Sequence, residues 1–172
     1  SFSSTVGFGL ASRTYAGDVQ VLQAEQNRSA VIALRDDQQE LARIRQLMEK
    51  QRFADAYTAA RALSAQVPEN RDVLYMIAVT QRYLGQIDDA LATLLQLQRL
   101  HPGYSRLYQE RGHCFIARKD APKAIDAFLA AVNINPALPA SWSRLESLFR
   151  MSGRQQEAVM AAGHVAALEK LP

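Results

Sequence analysis

The chain has 172 residues, enough for one well-filled core or a short array of repeats. Hydrophobic residues make up 48% and charged residues 22%, which excludes disorder; 8 Gly and 6 Pro are too few for a turn-rich sandwich. The net charge of +3 is too small for the concentrated basic face of a nucleic-acid binder, and the abundant Ala, Leu, Gln, Arg and Glu favour helix.

The chain opens on Ser1 rather than methionine, so sequence upstream is expected. Residues 1–12 have no basic n-region and too short an apolar stretch for a secretory leader. Residues 1–16 fit an extended tail or a short helix equally well. From Gly17-Asp18 onward, Val19, Val21, Leu22, Ala24, Val31, Ile32 and Leu34 predict a further helix. Gly17 falls where a preceding repeat would carry its turn glycine, but Leu22 fills the small-residue slot. Residues 1–36 are therefore expected to be an N-terminal extension with a capping helix rather than a further repeat.

Beyond residue 36 the sequence repeats. Pro68, Pro102 and Pro136 are spaced by 34, and so are Ala56, Ala90, Ala124 and Ala158. Gly85 and Gly153 lie two periods apart, with Gln51 and Lys119 at the equivalent turn positions. Each period predicts two amphipathic helices. In residues 71–104, Leu74, Ile77, Ala78 and Leu84 make one apolar stripe, and Ile87, Ala90, Leu91, Leu94, Leu95 and Leu97 the next. Gly85 can end the first helix in the left-handed conformation, and Pro102 ends the second. Asp120 is set to cap a helix whose first turn holds Pro122. The units are placed at 37–70, 71–104, 105–138 and 139–172, and the small alanines are expected where the helices of a unit cross.

The pattern resembles the tetratricopeptide repeat, W-x2-L-G-x2-Y, then A-x3-F, then P. Trp142, Leu145 and Phe149 match the fourth unit, and Gly112, Phe115, Ala124, Phe128, Ala131 and Pro136 the third. Leu74, Ala90 and Pro102 mark the second; Leu47, Ala56 and Pro68 mark a degenerate first, with Glu40 where tryptophan is usual. The resemblance implies an all-α fold, a right-handed α-solenoid of helix-turn-helix repeats. It also implies a non-catalytic scaffold that holds a protein or peptide in its concave groove. The stretches from Glu69 to Leu91, His101 to Cys114 and Asp120 to Trp142 are similar to the N-terminal repeats of bacterial proteins in which such units precede a sulfotransferase domain. That similarity implies, as the alternative, a substrate- or partner-recruiting module of a larger transferase, with the phosphate-binding loop in a separate domain.

Chemistry of other kinds finds no foothold. His101, His113 and His164 form no zinc-ligand series. His113 and Cys114 are neighbours, about 100° apart on a helix, so they cannot act as a dyad. Cys114 is expected to pack as a small apolar residue, and a lone cysteine excludes a disulfide framework and points to the cytoplasm. No enzyme, cofactor or metal is expected, and no nucleic-acid or membrane partner, since no apolar run reaches ~18 residues.

Family resemblance places the groove at the second, fifth, ninth and twelfth residues of each unit. These are Gln38, Leu41, Arg45 and Met48; Asp72, Tyr75, Val79 and Arg82; Arg106, Gln109, His113 and Ile116; and Ala140, Ser143, Ser147 and Arg150. Met76, Tyr83 and Arg144 stand beside them. The chosen ligand set is Arg45, Asp72, Tyr75, Arg82, Arg106, Gln109, His113, Ser143, Arg144, Ser147 and Arg150. Arginine offers paired donors to carboxylates and tyrosine a flat apolar ring with a polar tip, so an acidic segment is the expected partner. The same arginines can instead pair with Asp72, Glu110 and Glu146. The carboxylate clamp of chaperone-binding relatives is not matched, because the corresponding positions hold Leu41, Arg45, Met76, Arg106 and Glu110. The final helix leaves Ala158, Val159, Ala161, Ala162, Val165 and Leu168 uncovered, which predicts either a downstream domain or a weak end-to-end homodimer.

Overall fold

The computed structural model describes the backbone of residues 8–172 and the side chains of residues 15–172. Among the described residues there are eight helices and no strand: α1 Phe8–Glu49, α2 Phe53–Gln66, α3 Arg71–Tyr83, α4 Ile87–Leu100, α5 Ser105–Ala117, α6 Ala121–Ile134, α7 Pro139–Met151 and α8 Gln155–Glu169. The all-α helical-repeat solenoid implied by the sequence is what is found. Residues 1–7 lie outside the described residues. The chain divides into two compact units, Ser1–Ala42 and Arg43–Pro172.

The expected capping helix and the helix opening at residue 37 are not separate elements. A single helix of 42 residues runs through both. No proline occurs before Pro68, and Gly17 keeps ordinary helical backbone, so nothing stops the helix until Gln51.

In the second unit every turn between paired helices is built alike. Gln51, Gly85, Lys119 and Gly153 all have left-handed backbone, with φ of 61°, 79°, 57° and 72°. In each, the next residue's N–H reaches back to the helix: Arg52 to the Leu47 carbonyl, Gln86 to Gln81, Asp120 to Phe115 and Arg154 to Phe149, at 2.8–2.9 Å. The left-handed residue itself donates to the carbonyl three before it. This is the Schellman arrangement, which satisfies carbonyls a helix end leaves bare. Glycine takes it freely; Gln51 and Lys119 take it at a cost. Asn70 caps α3 by accepting from Asp72 and Val73, and Asp120 caps α6 by accepting from the Lys123 N–H, as its position predicted.

Each helix of this unit packs on the next in sequence, and α3 also meets α5. Ala56, Ala90, Ala124 and Ala158 are sealed from solvent, all four at 0% exposure. Small partners receive large ones. A methyl group on Gly112 of α5 would lie 2.7 Å from the Phe128 ring of α6, and Phe128 is fully buried. One period earlier Ala78 faces the same cluster as Leu94. Burying a Phe or Leu side chain contributes roughly 2–3 kcal/mol, so these pairs hold each hairpin shut. Successive hairpins are stapled by a repeated bond: Tyr108 Oη donates to the Pro102 carbonyl at 2.7 Å, and Trp142 Nε1 to the Pro136 carbonyl at 2.8 Å.

Candidate functional site

The first helices of the hairpins, α3, α5 and α7, carry most of the predicted ligand set. Around α3 and the start of α5 lies an aromatic pair. The Tyr75 and Tyr104 rings meet edge to face at 5.7 Å, and the Arg71 guanidinium lies 4.4 Å over Tyr104. Arg71 also approaches Asp72 at 3.6 Å. Burial pushes the Tyr75 phenol well above its ordinary value, helped by the Glu110 charge; Tyr104 rises by burial and by Asp72. Both therefore stay protonated and can donate. The charges of Arg106, Arg71 and Arg45 oppose the rise at Tyr104, and Arg71 is the one that lies over the ring.

Arg82 is not a free cation. Its guanidinium forms an ion pair with Glu110 of α5, the second contact Nη2 to Oε2 being 3.4 Å. The side chains are 19% and 3% exposed, so this pair is nearly sealed. Burial raises the Glu110 carboxyl while Arg82 opposes it. Arg82 further covers the Tyr83 ring at 4.5 Å, and Tyr83 stacks on Phe53 at 4.2 Å. Arg150 is likewise engaged, by Glu146 at 2.8 Å.

Several other predicted positions hold the array together. Gln109 accepts from Ser141 Oγ at 2.8 Å, tying α5 to α7. Ser147 Oγ donates to the Ser143 carbonyl at 3.3 Å. Leu41, Met76 and Val79, expected along the groove, are buried. For Met76 and Val79 the reason is local: α3 packs on α2, α4 and α5, so its buried face is wider than a single stripe. His113 stands edge-on to Phe128 at 5.2 Å. Burial, then the Arg82 and Arg144 charges, push its imidazole down to about 4, so it is neutral near pH 7. Cys114 is fully buried, and burial pushes its thiol up to about 12, so it packs as an apolar residue.

Among the described residues, Arg45, Arg106 and Arg144 are exposed and make no ion pair. Arg144 borders a notch of about 420 Å3 between the end of α5 and α7. Its wall is Ile116, Ala121, Leu148 and Met151, and its rim Lys119, Asp120, Arg144 and Ser147, with Asp120 engaged in capping α6. Met151 is 80% exposed. The sequence reading placed Arg144, Ser147 and Ile116 here but treated Lys119 only as a turn residue and passed over Met151. Their signal was present: both sit at the ends of first helices, level with groove positions. An apolar recess rimmed by two cations and the single carboxylate of Asp120 keeps a net positive edge, which suits an apolar side chain next to a carboxylate. Among the described residues no three His, Cys, Asp or Glu side chains gather as a metal site would require.

Residues 75–141 match the family model described as tetratricopeptide repeat. No curated protein matches the chain. Among solved structures, TTC0263, a thermophilic TPR protein in Thermus thermophilus, is 22% identical, with a TM-score of 0.69 over 79% of this chain and 76% of that one. MamA is 18% identical, with a TM-score of 0.67 over 96% of both chains. The MamA RS-1 ArsTM double mutant is 18% identical, with a TM-score of 0.65 over 78% of this chain and 76% of that one. At these identities the likeness is one of fold. Nothing in the matches supports the sulfotransferase link.

Proposed function

We propose that this tetratricopeptide-repeat protein is a non-catalytic interaction scaffold that holds an acidic peptide segment along α3, α5 and α7. The observation that carries the reading is the contrast between occupied and free arginines. Arg82 and Arg150 are neutralised by Glu110 and Glu146, whereas Arg106 and Arg144 are exposed without an ion-pair partner, and Arg144 flanks the apolar notch. A segment with two carboxylates and one apolar side chain meets Arg106, Arg144 and the Ile116–Leu148–Met151 recess. Tyr75 and Tyr104, whose phenols feel the Arg106 charge, add hydrogen-bond donors.

Fluorescence anisotropy with acidic, scrambled-neutral and basic peptides tests this. The acidic set should bind best, weaken with salt because exposed charges are screened beyond ~8–10 Å, and lose affinity in Arg106→Ala/Arg144→Ala. Equal binding by the double variant, or preference for the basic set, overturns the proposal.

A further inference from the structure

At five of the nine pairs of positions about its midpoint, the exposed stretch of α1 sets apolar against apolar or acid against base. Written outward from the Gln26–Asn27 bond, residues 18–35 pair as Glu25 with Arg28, Leu22 with Val31, Val21 with Ile32, Val19 with Leu34 and Asp18 with Arg35. Every apolar residue in these pairs mirrors an apolar one, and every acid mirrors a base. Asp18, Val21, Glu25, Arg28, Ile32 and Arg35 also follow alternating steps of three and four, the spacing of one coiled-coil seam. Gly17, Leu22, Ala24, Ser29, Val31 and, at its end, Asp36 border that seam. The helix is unbroken throughout, and Val21, Leu22, Val31 and Ile32 are 49–59% exposed. Asp18, Glu25, Arg28 and Arg35 are exposed and make no ion pair among the described residues.

We infer that this stretch is the docking site for a second copy of the same chain, the two α1 helices running antiparallel about a two-fold axis at Gln26–Asn27. In that register the seam stacks as Asp18 on Arg35, Val21 on Ile32 and Glu25 on Arg28 of the other copy, each layer occurring twice. Opposite charges meet in all four ionic layers. A parallel pair brings Asp18, Glu25, Arg28 and Arg35 each against its like, so charge selects the antiparallel form. Sliding one copy by seven residues loses both the Asp18–Arg35 and the Glu25–Arg28 layers and gives one kind in their place, Glu25 on Arg35 or Asp18 on Arg28, so charge also sets the register. An isologous contact of this kind closes at two copies.

Sedimentation equilibrium on the full chain, over a wide concentration range, tests the inference. The chain should show a monomer–dimer equilibrium. Glu25→Arg and Arg28→Glu should each weaken it roughly tenfold, because each turns two attractive layers repulsive. The exchange Glu25→Arg/Arg28→Glu within one chain should restore it. Both residue types are good helix formers at exposed positions, and circular dichroism on each variant confirms that the helix is kept. A monomer at all concentrations, or a dimer indifferent to the single reversals, overturns the inference. So does a dimer lost instead on Val165→Glu, which places the contact on α8.

Discussion

Val19, Val21, Leu22, Val31, Ile32 and Leu34 of α1 are 45–64% exposed, whereas Leu74, Leu94, Leu97 and Leu107 of the hairpins are at most 3% exposed. Both regions carry Val, Leu and Ile on their helices. They differ in whether the chain turns back. Every hairpin has a left-handed residue after its first helix and a fully sealed alanine in its second. Residues 15–34 have neither, so their apolar side chains meet no partner from their own neighbourhood in sequence. Helical periodicity alone makes a stripe; the turn and the size match make a core.

The sharpest way to break this contrast is to enlarge small residues in both regions. Ala124→Leu should cost about 3 kcal/mol in urea unfolding, and Gly112→Ala a similar amount through the Phe128 contact. Ala30→Leu in the exposed stretch should change stability by less than about 0.5 kcal/mol. If Ala124→Leu is as neutral as Ala30→Leu, the assignment of the crossing point is wrong.

The next effect tests the sealed ion pair. Glu110→Ala should cost about 2 kcal/mol, because it strands Arg82 in a largely buried position. Arg82→Met/Glu110→Leu should recover most of that loss, and a double-mutant cycle by thermal unfolding measures the coupling. No charge of the α1 seam should show such coupling within one chain.

A smaller effect follows from His113. Its folded-state value of about 4 lies below the ordinary 6.5, so below pH 6.5 the unfolded chain binds the extra proton. The stability His113 contributes is full above pH 6.5 and falls away as pH drops toward 4. Melting curves over that window should show a pH slope that His113→Gln reduces. A slope identical in His113→Gln and the parent would refute the assignment.

The smallest expected change is a gain. Gln51→Gly and Lys119→Gly should each stabilise by about 0.5–1 kcal/mol, since glycine relieves the left-handed backbone, while Gly85→Ala should lose a comparable amount. Chemical denaturation midpoints check all three.

The 34-residue spacing of the prolines and alanines made the hairpins legible, because repeated turns and crossings leave the same residue types at fixed intervals. Gln51 and Lys119 aligned with Gly85 and Gly153 before any backbone angle was known. The merger of residues 19–34 with the helix after 37 was less visible. No residue marks continuation of a helix; only the lack of a stop does. The site was legible as a row of positions but not as a charge pattern. Which arginines are free depends on Glu110 and Glu146 reaching them, the first across 28 residues of sequence. Met76 and Val79 were misplaced because α3 touches three helices, while periodicity reveals only its strongest stripe.

Cys114 gives the molecule a clock. It is the single cysteine in the chain, fully buried on α5 in the cluster with Leu94 and Leu107, and its thiol is held far from the reactive thiolate form. A thiol reagent can modify it only when α5 parts from its neighbours. The labelling rate therefore reads how often the middle of the array opens, with no dye or mutation introduced. The same silence means that a cysteine placed on the exposed face of α1 reacts first and alone, so each half of the molecule can be followed in time without disturbing the other.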